Sequence, residues 1–196
     1  AYAAHDSLYA AFSIKDEKDR QKFLVSSHFT RADSGYRMSL LPDGVVLNYQ
    51  HWKPDGYLLF AKQTVYIHAF SLGNGDSLIS LNTKAEEGRK GPLGLDFNNF
   101  SLSAISSIAE GKEQLFRGLL DGSITFESKD SATAITADLK VKHFSYKNDT
   151  LGNISIQGDN KSPDRYTADV KISGYGNDLE VKGYYDTKST TEVFNL

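Results

Sequence analysis

Apolar and polar residues alternate along most of this chain with a period of two, the pattern of strands that present one face to a core. In LYAAFSIK the apolar set is Leu8, Ala10, Phe12 and Ile14; in GYRMSLL it is Tyr36, Met38 and Leu40; in QTVYIHAF it is Val65, Ile67 and Ala69. Turn chemistry falls between these runs. Pro42-Asp43-Gly44, Pro54-Asp55-Gly56 and Gly73-Asn74-Gly75-Asp76 read as hairpin or meander connections. The pattern predicts an all-β chain of about ten to twelve short strands.

One segment has a different period. SLSAISSIAEG, residues 101 to 111, spaces Leu102, Ile105 and Ile108 for a short helix, with Ser101 or Ser103 as N-cap and Gly111 as terminator. Its apolar stripe is expected on, or plugging, the end of a sheet. The charged, glycine-rich EEGRKGPLG, residues 86 to 94, predicts an exposed loop, and the strand pattern resumes directly after it. Residues 1–196 therefore read as one β segment.

The pattern also repeats. TADLKV at 136 to 141 returns as TADVKI at 167 to 172, 31 positions later (167 minus 136). Ile135, Ala137, Leu139 and Val141 match Tyr166, Ala168, Val170 and Ile172 position for position, and each run is followed by an alternating strand ending in glycine, NISIQG and then DLEVKG. The unit is a strand pair of about thirty residues. A long row of strands apolar on one side needs a second layer, which one short helix cannot supply. The sheet must curl over its own apolar face, as a sandwich, a barrel or an open groove.

Composition narrows the function classes. The net charge of −3, with acids and bases interspersed, gives no basic face for nucleic acid. There is no cysteine, hence no thiolate nucleophile, thiolate metal site or disulfide framework. No apolar run approaches the roughly 18 residues of a membrane span, and no signal peptide is visible. The start AYAAHDS lacks an initiator Met and the end TTEVFNL stops within an alternating pattern, so the chain reads as a piece of something longer.

Catalytic chemistry finds little support. His5, His28, His51, His68 and His143 are too scattered for a local metal motif, and no nucleophile elbow, P-loop or dinucleotide fingerprint occurs. KDEKDR at 15 to 20 reads as a solvated turn, and GNGD at 73 to 76 as a hairpin turn rather than a calcium site. No enzyme activity, metal or cofactor is expected.

The stretch LNYQHWKPDGYLLFAKQTVYIHAFSLGNGDSLISLN (47 to 82), LGLDFNNFSLSAISSI (93 to 108) and the tail from FRGLLDGSITFES to DLEVKGYY resemble the TamB (translocation and assembly module) family of AsmA-like envelope proteins. The resemblance covers most of the chain after about residue 23, through G-x-L-x-G, ADL/V and LGNI patterns in a distinctive order. It implies an elongated, twisted, taco-like β-groove with an apolar interior, an interior segment of a periplasm-spanning protein anchored in the inner membrane of a Gram-negative bacterium. It also implies phospholipid acyl chains as cargo moving between inner and outer membrane, and an outer-membrane barrel-assembly protein as a partner, with membrane contact made only through parts absent here. The residues expected to line such a groove are Ile124, Phe126, Ile135, Ala137, Leu139, Val141, Ile154, Ile156, Ala168, Val170, Ile172, Leu179 and Val181. Two rivals remain. One is a glycan-binding β-sandwich using the eleven tyrosines and YQHW at 49 to 52 as a stacking platform; the other is a passive envelope scaffold with a dry core.

Overall fold

The computed structural model describes residues 2–4, 6–62, 64–83, 91–105, 115–129, 132–162, 164–187 and 193–195, with backbone alone at 2–4, 129, 132, 161–162 and 193–195. Among these residues the chain forms β1 (Tyr2–Ala4), β2 (Ser7–Lys15), β3 (Gln21–Ala32), β4 (Gly35–Leu47), β5 (Gln50–His51), β6 (Lys53–Ala61), β7 (Thr64–Asn74) and β8 (Ser77–Thr83). It continues with β9 (Leu93–Ser101), β10 (Phe116–Lys129), β11 (Ala132–Tyr146), β12 (Asp149–Ser162), β13 (Arg165–Gly174), β14 (Asn177–Asp186) and β15 (Val193–Asn195). Three of the fifteen, β1, β5 and β15, are only two or three residues long, which leaves twelve of ordinary length.

The strands form one antiparallel meander. Each pairs with its chain neighbours from β1 to β15, except that β5 folds back on β4 and lies off the path. The two outermost strands do not meet, so the sheet is open rather than a closed barrel. Strand-to-strand packing is concentrated between sheet neighbours, without a second sheet laid across the first. The accessible surface of 12958 Å² exceeds the roughly 9,200 Å² of a compact monomer of 21.7 kDa, as a single curled layer should.

The repeat has a direct structural meaning. Leu139 and Val170, 31 residues apart, both pair with Ile156, and Val141 and Ile172 both pair with Ile154. One repeat moves the chain two strands along the sheet with no stagger, so equivalent side chains fall into straight rows across the strands.

Several turn signals are bends instead. Pro42-Asp43-Gly44 lies inside β4, where the register with β3 shifts between Val25 and Ser27, and Pro54-Asp55-Gly56 lies inside β6, where it shifts between Asp55 and Tyr57. Proline donates no ladder hydrogen bond and is tolerated at a bulge, and Gly56 takes φ +72° there. By contrast, Gly75-Asp76 is a true turn, joining β7 to β8. Ala69 also departs from expectation: it is bulged at φ 47°, and Phe70, paired with Leu81, continues the apolar row in its place. A bulge reverses the parity of everything beyond it.

Of the expected helix, residues 103–105 are helical and 106–111, with Ile108, lie outside the described residues. Leu102 and Ala104 face the core while Ile105 is exposed. In the expected loop, 86–90 lie outside the described residues, Gly91 and Pro92 are irregular, and Leu93 and Gly94 already belong to β9.

Candidate apolar groove

Directly paired residues of an antiparallel sheet point to the same side, so the register locates each of the thirteen expected groove residues. Leu120, Val141, Ile154, Ile172 and Leu179 form one row across β10 to β14. Leu139, Ile156, Val170 and Val181 form the next, and Ile124, Ala137 and Ala168 a third in which Gly158 and Gly183 also stand. Phe126 pairs with Ile135 in a fourth. All thirteen share one face.

The face continues toward the N-terminus. Ile124 pairs with Leu95 and Leu95 with Leu81; further on, Ile67 pairs with Leu58, Leu58 with Met38, Met38 with Phe29 and Phe29 with Leu8. Alternation predicts a buried face, but much of it is open: Phe12 is 61% exposed, Val65 44% and Leu179 48%. The reason is the missing second layer.

The two margins of the sheet differ. At one, the segment after β4 folds over the apolar face. Asn48 Nδ2 donates to the Ser103 carbonyl at 3.0 Å, although a flat sheet would put β4 and β9 roughly 19 Å apart. Trp52, 1% exposed, anchors its backbone N–H on the Val45 carbonyl at 2.9 Å and packs on Phe100 with ring centroids 5.5 Å apart. Val45, Ala104, Leu120 and Val141 complete this cluster, which seals the margin.

At the opposite margin the face encloses a cavity of about 450 Å³, reached by side chains from β6 to β11. Leu58, Val65, Ile67, Leu81, Leu93 and Phe126 supply its apolar wall, and Thr64, Thr83, Ser128 and Thr133 supply hydroxyls. Among the described residues none of those lining it is ionisable.

Bulges near the sealed margin bend the long strands, and polar side chains satisfy the backbone they release. Asn99, at φ 45°, donates its N–H to Asp121 Oδ1 at 2.8 Å; His143, at φ 52°, donates to Asn153 Oδ1 at 3.1 Å. The Asn99 N–H, then Lys142 at 2.9 Å, holds the Asp121 carboxyl below the usual carboxylate range. In the turn between β2 and β3, Asp16 accepts from the Arg20 N–H, the Arg20 guanidinium, the Lys18 N–H and the Tyr49 hydroxyl, which bring its pKa from 3.8 to about 2. Both folded values lie below the unfolded ones. Their stabilisation is complete above the unfolded pKa and is lost as pH falls through the folded one. We therefore expect the urea midpoint to fall with acidification, and Asp16→Ala to remove the part between pH 3.8 and about 2; an unchanged slope in that variant would show that Asp16 is not the titrating group.

The rival glycan platform loses its central residue, because Trp52 is buried against Phe100. On the other face of the sheet, Tyr57 stacks on His68 at 4.4 Å with Arg37 at 4.3 Å from the Tyr57 ring, and Tyr9 stacks on His28 at 4.2 Å. One ring face of Tyr57 and one of Tyr9 are thereby covered. Among the described residues no group of three or more His, Asp or Glu gathers as a metal site, and no helix is long and apolar enough to cross a membrane. Compared with family models, curated proteins and solved structures, the chain gives no match.

Of the apolar side chains in the cavity wall, only Phe126 belongs to the thirteen residues drawn from the sequence; Leu58, Val65, Ile67, Leu81 and Leu93 come from β6 to β9, outside the clear repeat. Val65 and Ile67 carry the alternation signal. Leu58 does not, because LLF has no alternation and its side is decided by pairing with Met38 and Ile67.

Proposed function

We propose that this chain is an apolar β-groove that binds acyl chains and conducts phospholipid across the periplasm between inner and outer membranes, as an interior segment of a TamB-like protein. The observation that carries this reading is the apolar face that runs from Leu8 on β2 to Leu179 on β14 and is open over much of its length. An acyl chain in water costs roughly 0.8 kcal/mol per CH₂, and a face of Val, Ile, Leu and Phe offsets that cost at each step. Straight rows of similar aliphatic side chains distinguish little between positions of the chain along them. Uniform lining permits sliding. The sealed margin and the open one give the groove a closed side and an accessible side.

A dry scaffold would require this face to be filled, and its exposure speaks against that. The deciding experiment places a photocrosslinking residue at Val170, half-buried on the apolar face, and at Lys171, exposed on the other, in the protein expressed in a Gram-negative envelope. Phospholipid attached at Val170 and not at Lys171 is the expected result. A folded protein with a reactive probe at Val170 and no lipid would overturn the proposal.

A further inference from the structure

The cavity at the open margin differs from the rest of the face. On β11 to β14 the rows carry aliphatic side chains, interrupted by Gly158 and Gly183 and followed by the Tyr166–Tyr185 pair, and at the sealed margin Trp52 fills the space. Between β6 and β11 the wall recedes instead, leaving about 450 Å³, within the roughly 300–1,000 Å³ of small-molecule sites. Its floor is hydrocarbon: Leu58, Val65, Ile67, Leu81, Leu93 and Phe126. Its hydroxyls are set by register. Ser128 pairs with Thr133 on the same face as Phe126 and Ile135, one position nearer the strand ends, and Thr83 pairs with Leu93.

We propose that this cavity is a holding site for one acyl chain of an ester lipid, with the ester carbonyl at the hydroxyls of Ser128 and Thr133 and the headgroup left in water. The inference rests on the lipid-groove reading above and adds a preferred stopping point to it. Among the described lining residues the polar side chains are hydroxyls. Hydroxyl donors match an uncharged carbonyl, the polar group that stands immediately above the hydrocarbon in an ester lipid. A tail would enter the cavity for its apolar wall and stop where its carbonyl meets the hydroxyls. Selection is then by linkage and tail.

The test uses lysophosphatidylcholine carrying a diazirine at the end of its acyl chain, and its ether-linked counterpart, which lacks the carbonyl. Labelled peptides are mapped by mass spectrometry. Label from the ester probe is expected to concentrate on the strands carrying Leu58, Ile67, Leu81, Leu93 and Phe126. Leu93→Trp, and independently Val65→Trp, should each lower it by about tenfold, as filling an apolar pocket does, while Lys171→Trp, exposed on the opposite face, leaves it unchanged. The double change Ser128→Ala with Thr133→Val should reduce ester labelling about fivefold, the worth of about one hydrogen bond, and leave ether labelling as it was. Circular dichroism and the urea midpoint establish that each variant is folded before it is scored. Even labelling along the whole face would overturn the holding site and leave the groove reading standing. Absence of labelling anywhere would overturn both. Equal labelling by ester and ether probes would overturn the assignment of the carbonyl to the hydroxyls.

Discussion

Replacing Trp52 with alanine is expected to lower the unfolding free energy by about 3–5 kcal/mol, the range for removing a large buried aromatic side chain. The indole is 1% exposed, rests on Phe100 and fills the sealed margin between the fold-over segment and the sheet. The Asn48 to Ser103 hydrogen bond ties the same segment down and resists its collapse into the space. Trp52→Phe should cost less than the alanine change. It keeps an aromatic contact to Phe100 and deletes an indole N–H that has no acceptor among the described residues. Urea unfolding of the two variants measures the order; an alanine variant within about 1 kcal/mol of the parent would mean that Trp52 does not seal this margin.

Gly122→Ala is expected to be comparably damaging, costing about 3 kcal/mol or more. Gly122 sits at φ +120° on β10, a conformation that side chains rarely adopt. A Cβ there would stand 2.0 Å from the Asp138 carbonyl oxygen and 2.9 Å from the Leu139 Cα. Both atoms are backbone of β11, so relief requires the two strands to part at the centre of the apolar face. Gly73→Ala is the control. Its Cβ would meet nothing nearer than 3.8 Å, and the change should stay within about 0.5 kcal/mol. If the two substitutions cost the same, close strand approach at Gly122 is not what holds the bend.

These two sites mark different parts of one design. Trp52 closes a margin, whereas Gly122 lets β10 bend beside the bulge that Asp121 stabilises through the Asn99 N–H. Bending the strands turns a flat apolar sheet into a concave one and gives the cavity between β6 and β11 its wall. Stability and the proposed lipid binding are coupled here. A variant that flattens the sheet should lose the cavity even where it keeps its strands.

Much of the fold was legible in the chain itself. Side-chain parity in a strand is local, so alternation alone put Leu139, Ile156, Val170 and Val181 on one face, and the register agrees. The repeat of TADLKV as TADVKI determined that equivalent residues would recur along the sheet, and pairing of both copies with β12 makes them continuous rows. Short turns between strands made neighbours in sequence neighbours in the sheet. What the sequence could not decide depends on partners distant along the chain. Whether Pro42-Asp43-Gly44 turns the chain or bends a strand is settled by Ser26 opposite it on β3, and Ala69 yields the apolar row to Phe70 only because β7 is bulged there between its pairings with β6 and β8. The burial of Trp52, read as an exposed stacking residue, follows from a fold-over that brings residue 48 to residue 103. The cavity is of the same kind: its wall comes from strands β6 to β11, and only the curl of the assembled sheet brings those side chains around one space.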